Sequence, residues 1–388
     1  MVDSDEWVLN PFAKLSVEGR NSPSPQAIWV VALRQEGAWA KTRVTKKERP
    51  RLFALLHGLV AANGDLELEL FGDDAEALRA VGLLLPPDEI PTPVRFHVPI
   101  ADEFLEAGAD APGLIVHPSI THKAPIDLEL PPVELQPGPI LWVTDSRTAV
   151  TSPFWIQSSE DPSSYSPGGG AQHLGNGLRR KLRAAGILIS PEDLEPQREQ
   201  GTQQQASAAT HFSSTGWAVV PGLLPPLQIS ALQRYYRALI AKGVVKFGDW
   251  QTDRRYVIHN EPLSRMFLTA FTGVVTRVVG TPVKPAYTFF SSYREGATLP
   301  RHRDRAQCEY SISFLVGYDP TPDGPSPWPL WMSNDATSAG APVHQRVGDG
   351  IVYKGCELYH YRSELAPGHA STHIFFHYVP RDFTGPLD

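Results

Sequence analysis

Two histidines and an aspartate in this chain have the types and spacing to share a metal ion. His302-Arg303-Asp304 is a His-x-Asp, and His360 follows in the stretch GDGIVYKGCELYHYR. On an extended chain residues i and i+2 project to the same side. An imidazole nitrogen of His302 and a carboxylate oxygen of Asp304 can therefore aim at one point. His360, carried by another strand, would complete a face of two histidines and one carboxylate. Such a face leaves three metal positions open and suits non-haem Fe(II) in oxygen chemistry. A bidentate co-substrate would take two of those positions and O2 the third.

The surrounding pattern is rich in strands. Tyr293-x-x-Gly296 precedes the His-x-Asp, and an alternating run, CEYSISFLV at 308–316, follows it. A second strand signal, THIFFHYV at 372–379, follows His360. The donors are thus expected at strand edges of a mainly β core. Over 212–379 the chain resembles the 2-oxoglutarate- and Fe(II)-dependent oxygenase superfamily, most closely its prolyl-4-hydroxylase-like branch. That branch has a Tyr-x-x-Gly, a His-x-Asp, a Gly-Asp-x-x-x-(Phe/Tyr) strand and a distal His. Tyr293, Gly296, His302, Asp304, Gly348-Asp349 with Tyr353, and His360 match these. The resemblance implies a double-stranded β-helix (jelly roll) and Fe(II) held by His302, Asp304 and His360. It also implies 2-oxoglutarate and O2 as co-substrates, with the Tyr293 phenol on the far carboxylate of 2-oxoglutarate. The implied reaction hydroxylates an unactivated C–H bond and releases succinate and CO2. Asp304 argues against halogenation, because halogenating relatives vacate that carboxylate position for a halide.

One departure matters. The branch pairs the far carboxylate with a Lys about ten residues after the distal His, and that position here is Ala370. A buried carboxylate still needs a cation. Arg362, two residues past His360 and on the same side of an extended chain, is the expected substitute; Arg305, Lys354 and His373 are alternatives. Thr372 is expected to hydrogen-bond the co-substrate from the last core strand. Arg303, Arg305 and Gln307 surround the proximal ligands, with Arg305 and Gln307 the candidates for binding substrate. His369, His373 and His377 read as packed or surface histidines.

Composition bounds the function. The 388 residues suffice for two or three domains. A net charge of -7 leaves no overall basic footprint for nucleic acid, which weighs against a DNA-binding regulator. Cys308 and Cys356 are the only cysteines. They exclude a disulfide framework, fit a reducing cytoplasm, and are expected in buried strands. No signal peptide opens the chain, and no apolar stretch approaches the length of a membrane span. The substrate is expected to be an amino acid, a peptide or protein side chain, or a pathway intermediate. The competing readings are a cupin-type metal enzyme that uses no 2-oxoglutarate and a degenerate oxygenase fold serving as a binding module.

The expected architecture is α+β in two parts. Residues 1–200 form an α+β accessory domain suited to a peptide or protein partner, and 211–388 form the oxygenase domain. In the first part, strands at 27–34 and 39–44 flank a turn at 35–37, and helices span 50–62 and 74–81. Apolar residues alternate at 66–70. A phrase recurs: EALRAVGLLLPPDEIP at 76–91 and RKLRAAGILISPEDLEP at 180–196. Both are a helix stopped by glycine, a short apolar segment and a polar turn. The phrase resembles the end of a small winged-helix unit, in which a helix leads into a wing. The Gln-, Ser- and Ala-rich stretch near 195–210 resembles a linker, with a long solvated helix as the alternative. Helices at 226–242 and 262–279 are expected to buttress the large sheet of the second part.

Overall fold

The computed structural model describes residues 7–10, 13–18, 25–33, 39–61, 72–89, 94–96, 113–123, 133–135, 140–155 and 161–387. Contacts divide the chain into two compact units. One comprises Met1–Arg95, Leu128–Glu134 and Tyr236–Val244; the other comprises Phe96–Asp127, Leu135–Tyr235 and Val245–Asp388.

The first unit opens with β1 (Val8–Leu9). A three-stranded antiparallel sheet follows, β2 (Ala13–Val17), β3 (Ala27–Leu33) and β4 (Trp39–Thr45), with β3 central. Helix α1 (Pro50–Ala61) starts on a proline, whose missing N–H costs nothing there. Its Leu52, Phe53, Leu56 and Leu59 join Ile28, Val30 and Val44 of the sheet in one core. Helix α2 (Gly72–Ala80) is stopped at Gly82, φ +80°, and β5 (Leu84–Leu85) returns to pair with β1. The expected turn at 35–37 and the alternation at 66–70 lie outside the described residues.

Past β6 (Val94–Phe96), the plan recurs in the second unit. β7 (Ile115–Val116) precedes a three-stranded sheet of β8 (Ile120–Lys123), β10 (Ile140–Thr144) and β11 (Thr151–Trp155), with β10 central; β9 (Val133–Leu135) intervenes in sequence. Helix α3 (Asn176–Ala184) is stopped near Gly186, φ +73°, and β12 (Leu188–Ile189) pairs with β7. The backbone bonds correspond one to one. Asn10 N–H donates to Leu83 O (2.8 Å) as His117 N–H does to Ile187 O (2.8 Å). Ala13 N–H donates to Asn10 O (3.1 Å) as Ile120 N–H does to His117 O (3.0 Å). Leu83 N–H donates to Leu78 O (2.9 Å) as Ile187 N–H does to Leu182 O (2.8 Å). The recurring phrase therefore marks a repeated unit of structure. The wing expected after the helix is absent from the second copy, because β12 leads directly into another helix.

That helix, α4 (Pro191–Thr215), occupies the expected linker. Its composition is polar, but Gln and Ala are good helix formers, and both ends are capped. Ser190 accepts from the Glu192 N–H, and Gly216 closes the far end at φ +82°. Gln205, Ala208 and Phe212 are buried along one face. Arg198 pairs with Asp145 at 2.8 Å, and the Gln205 amide donates to Thr148 O, so the β10–β11 turn is bound to α4. The chain from 195 to 210 is therefore an integral part of the second unit and not a tether.

Helix α5 (Pro226–Ala241) follows the first strand of the remaining chain, and helix α6 (Pro262–Val279) the third; the strands there are β13 (Trp217–Val220), β14 (Lys246–Phe247), β15 (Arg255–His259), β16 (Val283–Arg294), β17 (Leu299–His302), β18 (Tyr310–Asp319), β19 (Leu330–Ser333), β20 (Ala341–Val343), β21 (Gly350–Lys354), β22 (Tyr359–Arg362) and β23 (Ala370–Pro380), all in the second unit. They build two antiparallel sheets, β13-β21-β18-β23-β16-β15-β14 and β17-β22-β19-β20. Leu299, Leu330, Met332 and Val343 of the small sheet share a core with Ile351 and Tyr353 of the large one, so the sheets pack face to face. Helix α6 covers the other face of the large sheet, with Phe271 against Phe314 and Phe376, and the Tyr378 hydroxyl on Leu268 O. The large sheet is thus covered on both faces, which is why β16 and β23 are apolar or small at successive positions and do not alternate. The cysteines do not lie in strands: Cys308 is buried in a 3-10 turn, Ala306–Cys308, and Cys356 is half-buried between β21 and β22.

Candidate metal centre and its cleft

The end of β17 and the middle of β22 are neighbours in the small sheet, and His302 and His360 are directly opposed across them. Their rings lie 4.3 Å apart between centroids. Asp304 follows β17, its N–H bonded to Gly355 O at 2.8 Å. One carboxylate oxygen, Oδ1, stands 3.6 Å from Nε2 of each histidine. The tautomers follow from simple chemistry. Nδ1 of His302 lies 2.7 Å from Pro300 O, and Nδ1 of His360 lies 3.1 Å from Leu358 O. A carbonyl oxygen only accepts, so each Nδ1 carries the proton, and each Nε2 lone pair faces the carboxylate. Oδ2 of Asp304 accepts from the Ser311 hydroxyl at 3.3 Å, which leaves Oδ1 toward the histidines. Burial opposes the charge of Asp304; when the rings of His360 and His302 are protonated at both nitrogens, their charge holds the carboxyl well below its usual range. Two imidazoles and an ionised carboxylate pointing inward are the donor set of a divalent transition-metal site.

Gly355 makes room for this arrangement. A Cβ there would stand 2.3 Å from Cys308 O and 2.4 Å from Asp304 Oδ2, so a side chain at 355 would displace the carboxylate.

A cleft of about 410 Å3 opens beside the triad, lined by Tyr293, Tyr353, Phe375 and the rings of Tyr287 and Phe289 among others. Arg255, on β15, also lines it and was not among the residues expected from sequence. Its guanidinium donates to the Tyr293 hydroxyl at 2.8 Å and is paired with Asp249. The signal was available: Arg255 and Val257 hold the inward phase of a strand, where a charge is out of place unless it is paired.

Arg362 is buried between the sheets. It donates to Trp328 O at 2.7 Å and lies 3.3 Å from the Ser313 hydroxyl and 3.4 Å from Gln345 Oε1. Among the described residues no carboxylate pairs with it, and burial pushes its guanidinium down to about 10. Its Nε is buried without a partner among the described residues, as is the Ser291 hydroxyl. Ser291 pairs across the sheet with His373, whose Nδ1 is 3.4 Å from the same Ser313 hydroxyl. A buried cation and two idle donors in one polar patch are what a bound carboxylate would satisfy.

The other expected residues divide. Arg303 and Arg305 line the cleft; Gln307 sits half-buried in the 3-10 turn and does not. Thr372 bonds the Ser292 hydroxyl at 2.8 Å. Ser371 and His373 take the inward phase of β23, so Thr372 is turned away from the cleft. Lys354 is occupied by Glu357 at 3.0 Å. His373 and His377 are buried and held neutral, His377 at about 4, first by desolvation.

No protein-family model and no curated protein matches the chain. Solved structures of 2-oxoglutarate-dependent oxygenases do. A Pseudomonas putida prolyl-4-hydroxylase is 18% identical, matching 46% of this chain and 99% of its own at a TM-score of 0.37. AviO1 from Streptomyces viridochromogenes Tue57 is 19% identical over 47% of this chain and 97% of its own, TM-score 0.38. HygX from Streptomyces hygroscopicus, seen with nickel, 2-oxoglutarate and hygromycin B bound, is 12% identical over 46% and 88%, TM-score 0.38.

Proposed function

We propose that the protein is an Fe(II)- and 2-oxoglutarate-dependent oxygenase that hydroxylates a C–H bond of a small-molecule or peptide substrate. Its two facing sheets would be a double-stranded β-helix. The observation that carries the reading is the joint presence of two complementary sites in one sandwich: the donor triad of His302, Asp304 and His360, and the unpaired buried cation of Arg362. A metal enzyme without 2-oxoglutarate has no use for the second.

Fe(II) with 2-oxoglutarate and O2 would supply the oxidising power for C–H cleavage, with succinate and CO2 released. The chain's own residues do the rest. His302, Asp304 and His360 hold the ion on one face. The carbonyls of Pro300 and Leu358 fix both imidazole tautomers, so neither Nε2 is lost to a proton. Arg362, with Ser291 and Tyr293, would hold the far carboxylate of 2-oxoglutarate. Arg255 orients the Tyr293 hydroxyl by donating to it, which leaves the phenol's own proton free to donate. Tyr353, Phe289 and Phe375 keep water from the reacting carbon.

Calorimetry under anaerobic conditions tests the reading. Fe(II) should bind with one-to-one stoichiometry, and 2-oxoglutarate should bind only to the metal-loaded protein. Under air, that complex should release succinate. Metal binding without any 2-oxoglutarate binding would refute it in favour of a metal enzyme of another kind.

A further inference from the structure

The substrate is legible in part from the cleft walls. Of the charged residues lining the cleft, Asp304 is the only acid among the described residues, and it faces the two histidines. The cations number three, and one of them, Arg255, is neutralised by Asp249. Arg303 and Arg305 remain. The guanidinium carbon of each stands over a ring, Arg303 over Tyr359 at 4.8 Å and Arg305 over Tyr287 at 4.6 Å from the centroid. Arg305 also donates from Nε to the Tyr287 hydroxyl at 3.3 Å. Neither pairs with a carboxylate among the described residues. Ring stacking removes much of the entropy that a free arginine loses on binding, so two prepositioned guanidinium forks face the cleft.

The opposite feature is Trp250, 89% exposed. An indole so exposed has no part in folding, yet its turn is rigidly built. Asp249 Oδ1 accepts from the N–H groups of Gln251 (3.0 Å) and Thr252 (3.1 Å), while Oδ2 holds the buried Arg255. Gln251 bonds Arg255 as well. The turn is thus anchored from beneath, and it carries Trp250 into the lining of the same cleft as Arg303 and Arg305. An exposed aromatic on a fixed support at the mouth of a cleft marks a ligand surface.

Building on the oxygenase reading, we propose that the substrate is an anion with a flat apolar body, its carboxylate or phosphate held by Arg303 and Arg305 and its ring laid against Trp250. This chemistry admits aryl carboxylates and aryl phosphates and disfavours amines, which the two arginines would repel.

The test uses the full chain loaded with Zn(II) in place of Fe(II) and saturated with 2-oxoglutarate, so that the co-substrate site is closed to other carboxylates. Binding of indole-3-acetate, indole-3-acetamide, phenyl phosphate and acetate is measured by calorimetry. The aryl anions should bind, with the amide weaker by about tenfold, the scale of one charge-assisted contact. In the doubly substituted R303Q/R305Q protein the gap between acid and amide should close. In Trp250→Ala acid and amide should weaken together, with the gap preserved. Equal binding of acid and amide, a gap that survives the arginine substitutions, or no binding of any aryl anion at millimolar concentration would overturn the assignment. Those outcomes on a loaded protein leave the oxygenase reading standing. Failure of Zn(II) and 2-oxoglutarate to load, measured first on the same sample, overturns both.

Discussion

Arg362→Met separates a functional cation from a structural one. The guanidinium is fully buried, and desolvation lowers it from its ordinary value to about 10. At 1.36 kcal/mol per unit, the protein holds about 3 kcal/mol against the charged form. Methionine fills a similar volume and removes that burden. It also strips the donors from Trp328 O and Gln345 Oε1, and a buried acceptor left idle costs about 1–3 kcal/mol. The two effects oppose each other, about 3 kcal/mol gained against about 2–6 kcal/mol lost at the two acceptors, so the ligand-free protein should lose no more than about 3 kcal/mol of stability. Affinity for 2-oxoglutarate has no such compensation. Leaving a buried carboxylate without its cation costs about 3–5 kcal/mol, or two to four decades in Kd. Thermal unfolding of the metal-loaded protein, with and without 2-oxoglutarate, reads both quantities. The wild-type midpoint should rise with the co-substrate, and the variant midpoint should not. Calorimetry gives the Kd directly. A variant that retains 2-oxoglutarate affinity within threefold would refute the assignment. The next candidate would then be Arg255, which is hydrogen-bonded to Tyr293 and tested by Arg255→Gln.

Four further outcomes follow. Asp304→Ala should abolish tight binding of Fe(II) or Co(II) and all succinate release while the circular dichroism spectrum is unchanged, because Asp304 lies beyond the end of β17. Gly355→Ala should weaken Co(II) binding by at least about tenfold with no ligand atom removed, since its Cβ overlaps Asp304 Oδ2; calorimetry measures it. Thr372→Val should leave the Kd for 2-oxoglutarate within twofold, as its hydroxyl is bonded to Ser292 on the helix-covered face. Gly186→Ala should cost about 1–2 kcal/mol from its left-handed conformation alone, whereas Gly82→Ala adds a 3.0 Å approach to Ala32 Cβ and should cost more; denaturant midpoints compare them.

Much of the catalytic unit was legible because its signals are local. The His-x-Asp lies at the end of an extended strand, so its two side chains needed no tertiary information to be read as a pair. Helix α6 begins with a proline and ends before Gly280, φ +74°, and its bounds match the sequence expectation. The stretch at 195–210 failed for a reason the sequence contains only in part. Gln, Ser and Ala suit a tether and a helix equally, and the choice was made by burial of Gln205, Ala208 and Phe212, which depends on what lies beneath. The recurring phrase was visible, but its sense was not. The bond from Asn10 N–H to Leu83 O, and its counterpart from His117, join segments far apart in sequence.

The residues of the proposed co-substrate site show where sequence reading stops. Arg362 is singled out by sharing strand phase with His360, one step of two along the same extended chain, and the structure buries it between the sheets. For Thr372 the same rule had no anchor, and the structure turns its hydroxyl to Ser292. On β23 nothing in the sequence says which phase faces in, because Ser371, Thr372, His373 and Ile374 include polar groups on both faces. The structure resolves the phase through register: Ser371 pairs with Tyr293, and His373 with Ser291. Arg255 was missed because its strand is short and lies far upstream of the motif, so only the pairing of Arg255 with Tyr293 brings it to the cleft. Phase along one strand is a property of sequence; pairing between strands is not. The proposed ligand triad needed one phase and one pairing, and the proposed carboxylate pocket needed several of each. That difference explains why the proposed metal ligands could be named from the sequence and the rest of the proposed carboxylate pocket could not.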